Sequence, residues 1–218
     1  VLIQPDFGTS LVILSGIGTV YLLSGARRRH VLGLLALSLA AAALAWTLVF
    51  KPYQRDRIRT FLDPSSDALG SGYNARQAII AVGAGGWLGT GFGKGAQSHL
   101  RFLPERQTDF LFATYAEETG LLGTLALTGL YAGLFAWLAA QMAFWRNPDR
   151  LAVGGGLLAM FLVQSFINLG MNLGIAPITG VTLPLFSLGG SSLLASALSL
   201  GILESLRRSD PEPAAVIQ

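Results

Sequence analysis

The sequence predicts an all-α polytopic membrane protein with about five transmembrane helices and one large extracellular loop. Hydrophobic residues fill 52% of its 218 positions and charged residues only 12%, about half the roughly 25% charge of a soluble domain. Uncharged runs of spanning length recur along the chain, and a spanning helix needs about 20 apolar residues to cross about 30 Å of hydrocarbon. Basic residues gather in the short connections between those runs.

The composition also excludes several chemistries. There is no Cys, which removes disulfides, thiolate nucleophiles and cysteine-ligated metals together. With only His30 and His99, a histidine-rich metal centre is excluded as well, and no metal-ligating residue is assigned. A net charge of +3 is too small a surplus to indicate a nucleic-acid partner. The first apolar stretch lacks a basic leader and begins almost at residue 1, so it does not read as a cleavable signal peptide. Its abrupt start leads us to expect a chain whose beginning lies further upstream.

The spans follow in order. Phe7 to Ala26 is the first and Val31 to Phe50 the second. Thr119 to Trp145 is the third, with a helix expected to begin near Phe110, which puts Glu117 and Glu118 at or inside the membrane boundary. Leu151 to Leu203 carries no charge over 53 positions, too many for one crossing, and so divides into two helices. The break falls around Asn172 to Pro184, where Pro177 and Pro184 interrupt the hydrogen-bond ladder beside Gly174 and Gly180. With five alternating helices, Arg27 to Arg29, Arg146, Arg150, Arg207 and Arg208 share one side, which the positive-inside rule makes cytoplasmic. Lys51 to Asp109 carries eight of the fifteen basic residues, yet a loop of that length weighs little in the rule, so it is placed outside.

Small residues at helical spacing, Gly129 with Gly133 and Gly170 with Gly174, are expected to let helices approach closely in lipid. Gln164, Asn168 and Asn172 recur every four residues on one helical face that should point into the bundle, where interhelical hydrogen bonding is favoured over lining a substrate path. The segment 209–218 reads as a frayed tail.

Chemistry concentrates in the 51–109 loop. It opens on a basic amphipathic stretch, Lys51, Arg55, Arg57 and Arg59, suited to anionic headgroups or to a phosphate. Gln77 to Gly93 is an uncharged run of 17 with six glycines, read as a re-entrant or interfacial segment with a short helix near Ala78 to Val82. The glycines around Lys94 lack the spacing of a nucleotide-binding loop, and Gly95 follows Lys94 where Ser or Thr is required. Their amides could still contact a pyrophosphate. The densest polar stretch runs from Arg101 through Glu105, Arg106 and Thr108 to Asp109, directly before a long apolar helix. Asp109 there is either a cap or first-turn acid favoured by the helix dipole, or a general base flanked by cations.

Gln4 to Ser10, Lys51 to Ile58, Phe61 to Pro64, Gly70 to Asn74, Leu103 to Phe110 and Asn168 to Ser192 together resemble the SEDS family (shape, elongation, division and sporulation). These stretches lie in order over nearly the whole chain. Pro104-Glu105-Arg106 before Asp109, and Ile178-Thr179, are similar to the RodA branch rather than the FtsW branch. The chain departs from the family pattern at Gln107, where His is usual, and at Leu188, where Tyr is usual; a histidine at 107 therefore cannot be the base here.

The resemblance implies a partial GT-C-like SEDS architecture, the family carrying about ten helices and this chain beginning midway through them. It implies a peptidoglycan glycosyltransferase of the bacterial cytoplasmic membrane that polymerises lipid II in cell elongation and releases undecaprenyl pyrophosphate. Asp109 matches the family's catalytic aspartate. Lys94, Arg101 and Arg106 are candidates for contacting phosphate, and Glu105 and Thr108 complete the candidate substrate-binding set. A divalent cation, Mg or Mn, is the implied cofactor. The implied partners are a class B penicillin-binding transpeptidase, other elongation-complex proteins and membrane lipids. A lipid II flippase and a non-catalytic cell-wall scaffold remain alternatives. Chemistry needs Asp109 outside, whereas transport needs polar groups through the depth of the bilayer.

Overall fold

The structure is a computed structural model that describes residues 6–48, 59–61, 70–99, 103 and 107–209, and every regular element among them is helical. In chain order these are α1 (Phe7–Leu23), α2 (Arg28–Leu48), α3 (Ser71–Ala84), the single turn α4 (Ala96–His99), α5 (Leu111–Met142), α6 (Pro148–Asn172) and α7 (Gly190–Ser209). The five long helices α1, α2, α5, α6 and α7 stand where the sequence places five spans. Among the described residues α5 and α6 are long and apolar enough to cross a membrane. At 17 residues α1 is apolar but just short of that length, and α7 carries Glu204, Arg207 and Arg208. The basic stretch at 51–58 and the tail beyond 209 lie outside the described residues.

Local chemistry sets the helix ends. Asp6 caps α1, its Oδ1 accepting the Thr9 amide at 2.9 Å. Asn147 caps α6 by accepting from Asp149 N at 2.9 Å and Arg150 N at 3.4 Å, and Pro148 fills the first helical position, where no amide partner is needed. At the far end of α7, Arg207 and Arg208 both bond Glu204, and these hydrogen bonds pull its carboxyl down to about 2. The α3 helix is longer than the segment near Ala78 to Val82 that the sequence indicated, starting at Ser71.

Packing inside the bundle follows contact more than hydrophobicity, because lipid tails are as apolar as a leucine side chain and leave van der Waals fit as the main attraction between helices. The α1 and α6 helices run antiparallel at close range. A Cβ on Gly16 would stand 2.6 Å from Met160 Cγ, and one on Gly156 would stand 2.5 Å from Val20 Cγ2 and 3.1 Å from the Gly16 carbonyl. These are not the glycines the sequence singled out. Gly129 and Gly133 face open space, while Gly174 meets Ile79 of α3 and Gly170 meets Ala176. Spacing alone identified a small-residue stripe but not the face on which a partner lies. Leu138 and Met142 of α5, Leu158 and Phe161 of α6 and Leu203 of α7 form one buried cluster. Together with the antiparallel α1–α6 pair, it sets Arg27, Arg146, Arg150 and Arg207 at one end of the bundle and the 107–110 turn at the other.

The third span breaks where no proline announces it. Gly120, at φ +68°, interrupts α5, and the glycine-rich segment after α3 docks into the break. Thr90 N donates to the Glu117 carbonyl at 3.0 Å and Gly91 N to the Glu118 carbonyl at 3.1 Å. In return Leu121 N donates to Gly86 O at 2.8 Å and Leu122 N to Trp87 O at 3.2 Å. The carbonyls left open at the end of one helical segment and the amides left open at the start of the next thus find partners in the loop. Glu117 is fully buried and accepts from Gln97 N at 2.9 Å, and Glu118 accepts from Gly93 N at 3.1 Å. Side chains at Gly89 and Gly120 would collide with the opposing backbone.

Gly156→Ala and Gly120→Ala should each destabilise the protein by about 1–3 kcal/mol through overpacking, and at Gly120 also through its left-handed backbone. Gly129→Ala, facing open space, should raise stability by about 0.5–1 kcal/mol through helix propensity. Thermal unfolding in detergent reads all three, and equal losses at Gly129 and Gly156 would contradict the packing described.

Candidate active site

Asp109 lies in the turn 107–110 just before α5, and its backbone is held from another helix. Its carbonyl accepts from Asn168 Nδ2 at 3.0 Å and Asn172 Nδ2 at 3.1 Å. Both asparagines are fully buried on α6. Asn168 also donates to Val181 O at 2.8 Å, and Asn172 donates to Asn168 O at 2.8 Å. Asn172 Oδ1 accepts the Ala113 amide at 3.2 Å. That amide is one of the four a helix start leaves open, and the residue at the cap position, Phe110, has no side-chain oxygen to serve it. Asn172 therefore caps α5 from a neighbouring helix while fixing the carbonyl of Asp109.

Two further ties complete the turn. Leu188 N donates to Gln107 O at 2.9 Å. Phe110, 2% exposed, packs into a cluster with Ala78 and Ala81 of α3, Leu103 and Ala113. The two departures from the family pattern, Gln107 and Leu188, thus meet through backbone atoms, and both side chains are exposed, so neither change disturbs the tie. The 183–187 turn that presents Leu188 is itself anchored: Ser187 Oγ accepts from Leu183 N at 2.9 Å, and the Tyr131 hydroxyl of α5 donates to Pro184 O. Leu185 sits there at φ +65°, a conformation that costs a non-glycine residue roughly 1–2 kcal/mol.

The Asp109 side chain is half-buried. A Cβ on Gly180, which stands at φ +77°, would lie 3.6 Å from Asp109 Oδ2, an ordinary van der Waals contact. Gly8 of α1 lies against the same extended segment, where a side chain would collide with Val181 and Thr179. The signature glycines near both ends of the chain thus serve one place. Thr179 Oγ1 and Ser165 Oγ are buried nearby in sequence without a hydrogen-bond partner.

The structure separates the other candidate residues. Thr108 is half-buried in the same turn as Asp109. Arg101, Glu105 and Arg106 lie outside the described residues. Lys94 is exposed on the glycine-rich segment, which docks at Glu117 to Leu122 and so about 12 Å or more along α5 from Asp109 by helix rise. The amides of that segment are already used: those of Gly89, Thr90, Gly91, Gly93 and Lys94 all donate to internal oxygens. Those five amides are therefore not open to the pyrophosphate contact that the sequence left possible. Asp109 is likewise not the helix cap, a position held by Phe110. Among the described residues no three His, Asp or Glu converge to hold a metal ion.

Asn168 and Asn172 were legible as bundle-facing hydrogen bonders, and they do bond within the bundle. Both are satisfied inside this chain. Gly8 and Gly180 were part of recognised motifs, but nothing in their spacing assigned them to Asp109. Asn172→Ala should cost about 1–3 kcal/mol, since it strands the Ala113 amide and removes a donor from Asp109 O. Gln164→Ala, which loses one half-buried bond to Thr182 O, should cost less. Urea or thermal unfolding in detergent compares the two, and equal stability would contradict the cap across helices.

The comparisons with known proteins agree with this architecture. MrdB of Escherichia coli, named a peptidoglycan glycosyltransferase, is 45% identical over 209 residues, covering 93% of this chain and 55% of that protein. FtsW of Nitrosococcus halophilus is 44% identical over 208 residues, covering 93% and 52%. One chain from a solved peptidoglycan synthase complex, described as coordinating polymerization and crosslinking, superposes with a TM-score of 0.76 at 39% identity, covering 97% of this chain and 58% of that one. The chain spans about half the length of the curated relatives it matches. The family model for cell cycle proteins of the FtsW, RodA and SpoVE type matches residues 1–212, and the chain belongs to that family.

Proposed function

We propose that this chain carries the catalytic carboxylate of a peptidoglycan glycan-strand polymerase that uses lipid II as donor and acceptor. One observation carries the reading: an aspartate whose carbonyl is fixed by two α6 side-chain amides, in a turn that Leu188 N ties through the Gln107 carbonyl, with Gly180 near its carboxylate. These contacts hold Asp109 in place through its main chain. The acceptor GlcNAc 4-hydroxyl attacks the anomeric carbon of MurNAc as Asp109 takes its proton, and undecaprenyl pyrophosphate departs. Arg101 and Arg106, close to Asp109 in sequence, are the candidates to neutralise that leaving group, and Thr108 and Glu105 to orient the sugars. The names of the relatives support a peptidoglycan glycosyltransferase over a flippase or a scaffold.

The RodA branch is favoured by Pro104-Glu105-Arg106, since the MrdB and FtsW relatives lie almost equally close in identity. A class B penicillin-binding transpeptidase is the proposed partner, supported by the similar chain's place in a synthase complex. The proposed location is the bacterial cytoplasmic membrane with segment 51–109 on the outer face. The gathering of Arg27, Arg146, Arg150 and Arg207 at the opposite end of the bundle supports that orientation.

Asp109→Asn in the full-length protein should lower lipid II polymerisation by about 100- to 10,000-fold while the unfolding temperature is kept, because an amide keeps the shape but cannot accept the proton. Near wild-type turnover would remove Asp109 from catalysis. For orientation, single cysteines at Asn74 and Ala96 should react with an impermeant thiol reagent in spheroplasts and those at Arg28 and Asn147 should not, with no native Cys to confuse the readout. The reverse pattern would invert the topology.

A further inference from the structure

Trp87, Leu88 and Phe92, on the glycine-rich segment that docks into the α5 break, are 72%, 77% and 77% exposed. Three large apolar side chains together on one short loop make a patch that water does not favour. The two long helices give its depth. From Met142 to Leu121, α5 rises about 32 Å to its break, and α6 rises about 30 Å from Pro148 to Asn168, the residue that holds the Asp109 carbonyl. The short link 143–147 starts both helices from one level. The break and the Asp109 turn therefore each stand one hydrocarbon thickness, roughly 30 Å, from the arginine end of the bundle.

At that level the segment is joined to the span. Leu122 N donates to Trp87 O at 3.2 Å, and Leu121, Leu122 and Leu125 are exposed on α5. The apolar surface of the span thus passes onto the segment at Trp87, and the lipid that covers the one reaches the other. An irregular loop enters a lipid boundary only with its amides satisfied, and those of Gly89, Thr90, Gly91, Gly93 and Lys94 all have acceptors within the chain. Lys94 is exposed on the same segment, and a Cβ on Gly91 would lie 3.5 Å from Lys94 Cδ. Its aliphatic stem therefore lies back along the loop, as in a lysine that carries its charge out to headgroups. Aromatic side chains with a cation nearby are those that favour the boundary between hydrocarbon and water. We propose that Trp87, Leu88 and Phe92 form an interfacial anchor seated among the first acyl carbons of the leaflet on the Asp109 side, with Lys94 at the lipid phosphates. This goes beyond the polymerase reading and does not depend on it. Because the same segment plugs the α5 break, the anchor fixes the depth of that break and, through α5, of the Asp109 turn.

The test uses the full-length protein, otherwise free of Cys, in vesicles of phosphatidylcholine and phosphatidylglycerol, with bimane attached at Phe92→Cys or, in a second protein, Leu88→Cys. A nitroxide on the fifth acyl carbon should quench both at least about twofold more than one on the twelfth, and aqueous iodide should quench them at least about fivefold less than the bimane adduct of glutathione free in solution. At Lys94→Cys a headgroup nitroxide should quench more than either acyl nitroxide. Leu130→Cys, at a position 73% exposed in the middle of α5, should prefer the twelfth carbon and so calibrates the depth. Stronger iodide quenching at Phe92 and Leu88 than that limit would put the patch in water. Weak quenching by lipid nitroxides and iodide alike would put it under protein, whether the upstream helices or a partner chain. A preference for the twelfth carbon would bury it in mid-leaflet. Each of these three results overturns the anchor.

Discussion

The carbonyl of Asp109 accepts two side-chain amides from α6, and the arrangement around it depends on that junction. In the bilayer an amide without a partner is costly, so Asn168 and Asn172 demand acceptors, and the geometry of α6 directs both to one oxygen. Because Asn172 also takes the Ala113 amide, the same side chain fixes where α5 begins. The position of Asp109 and the start of α5 are thereby a single structural fact. Moving α6 by a fraction of a helical turn would break both.

Glycine makes this possible where α1, α3, α5 and α6 come together. Gly16 and Gly156 let α1 and α6 touch, and Gly89 and Gly120 let the glycine-rich segment enter the break in α5. Each substitutes close van der Waals contact for the hydrophobic driving force that lipid does not provide. The exchange of four backbone hydrogen bonds at the α5 break illustrates the other half of the constraint: irregular backbone is tolerated at membrane depth only when its polar groups are satisfied by protein. The glycine-rich segment is therefore an architectural plug for α5, and its amides are not available to a phosphate.

The uncharged runs located the five long helices, because hydrocarbon thickness dictates a length that a sequence displays directly. The start of α5 was read to within a residue and the break between α6 and α7 was read from its prolines and glycines. The asparagine ladder was legible as a bundle-facing stripe from its spacing of four. What escaped was every feature that depends on a partner distant in sequence. Gly120 sits in an apolar run with no proline beside it, and only Leu88 and Gly89, some 30 residues away, explain its positive φ. Gly129 and Gly133 have the spacing of a packing motif and face nothing, whereas Gly16 and Gly156 are decisive only as a pair across two helices. The place of Asp109 before a helix left a cap and a general base both open; the Ala113 amide is served instead by Asn172, 59 residues beyond it.

Residue-resolved hydrogen exchange of the Ala113 amide in the membrane-embedded protein tests directly whether α6 holds the Asp109 turn from across the bundle. An amide in the first turn of a helix ordinarily exchanges fast, having no intrahelical acceptor. Ala113 should exchange as slowly as the interior of α6 and become fast when Asn172 is replaced by alanine, with the α6 interior unchanged. Fast exchange of Ala113 in the unaltered protein, or slow exchange that survives the loss of Asn172, would contradict it.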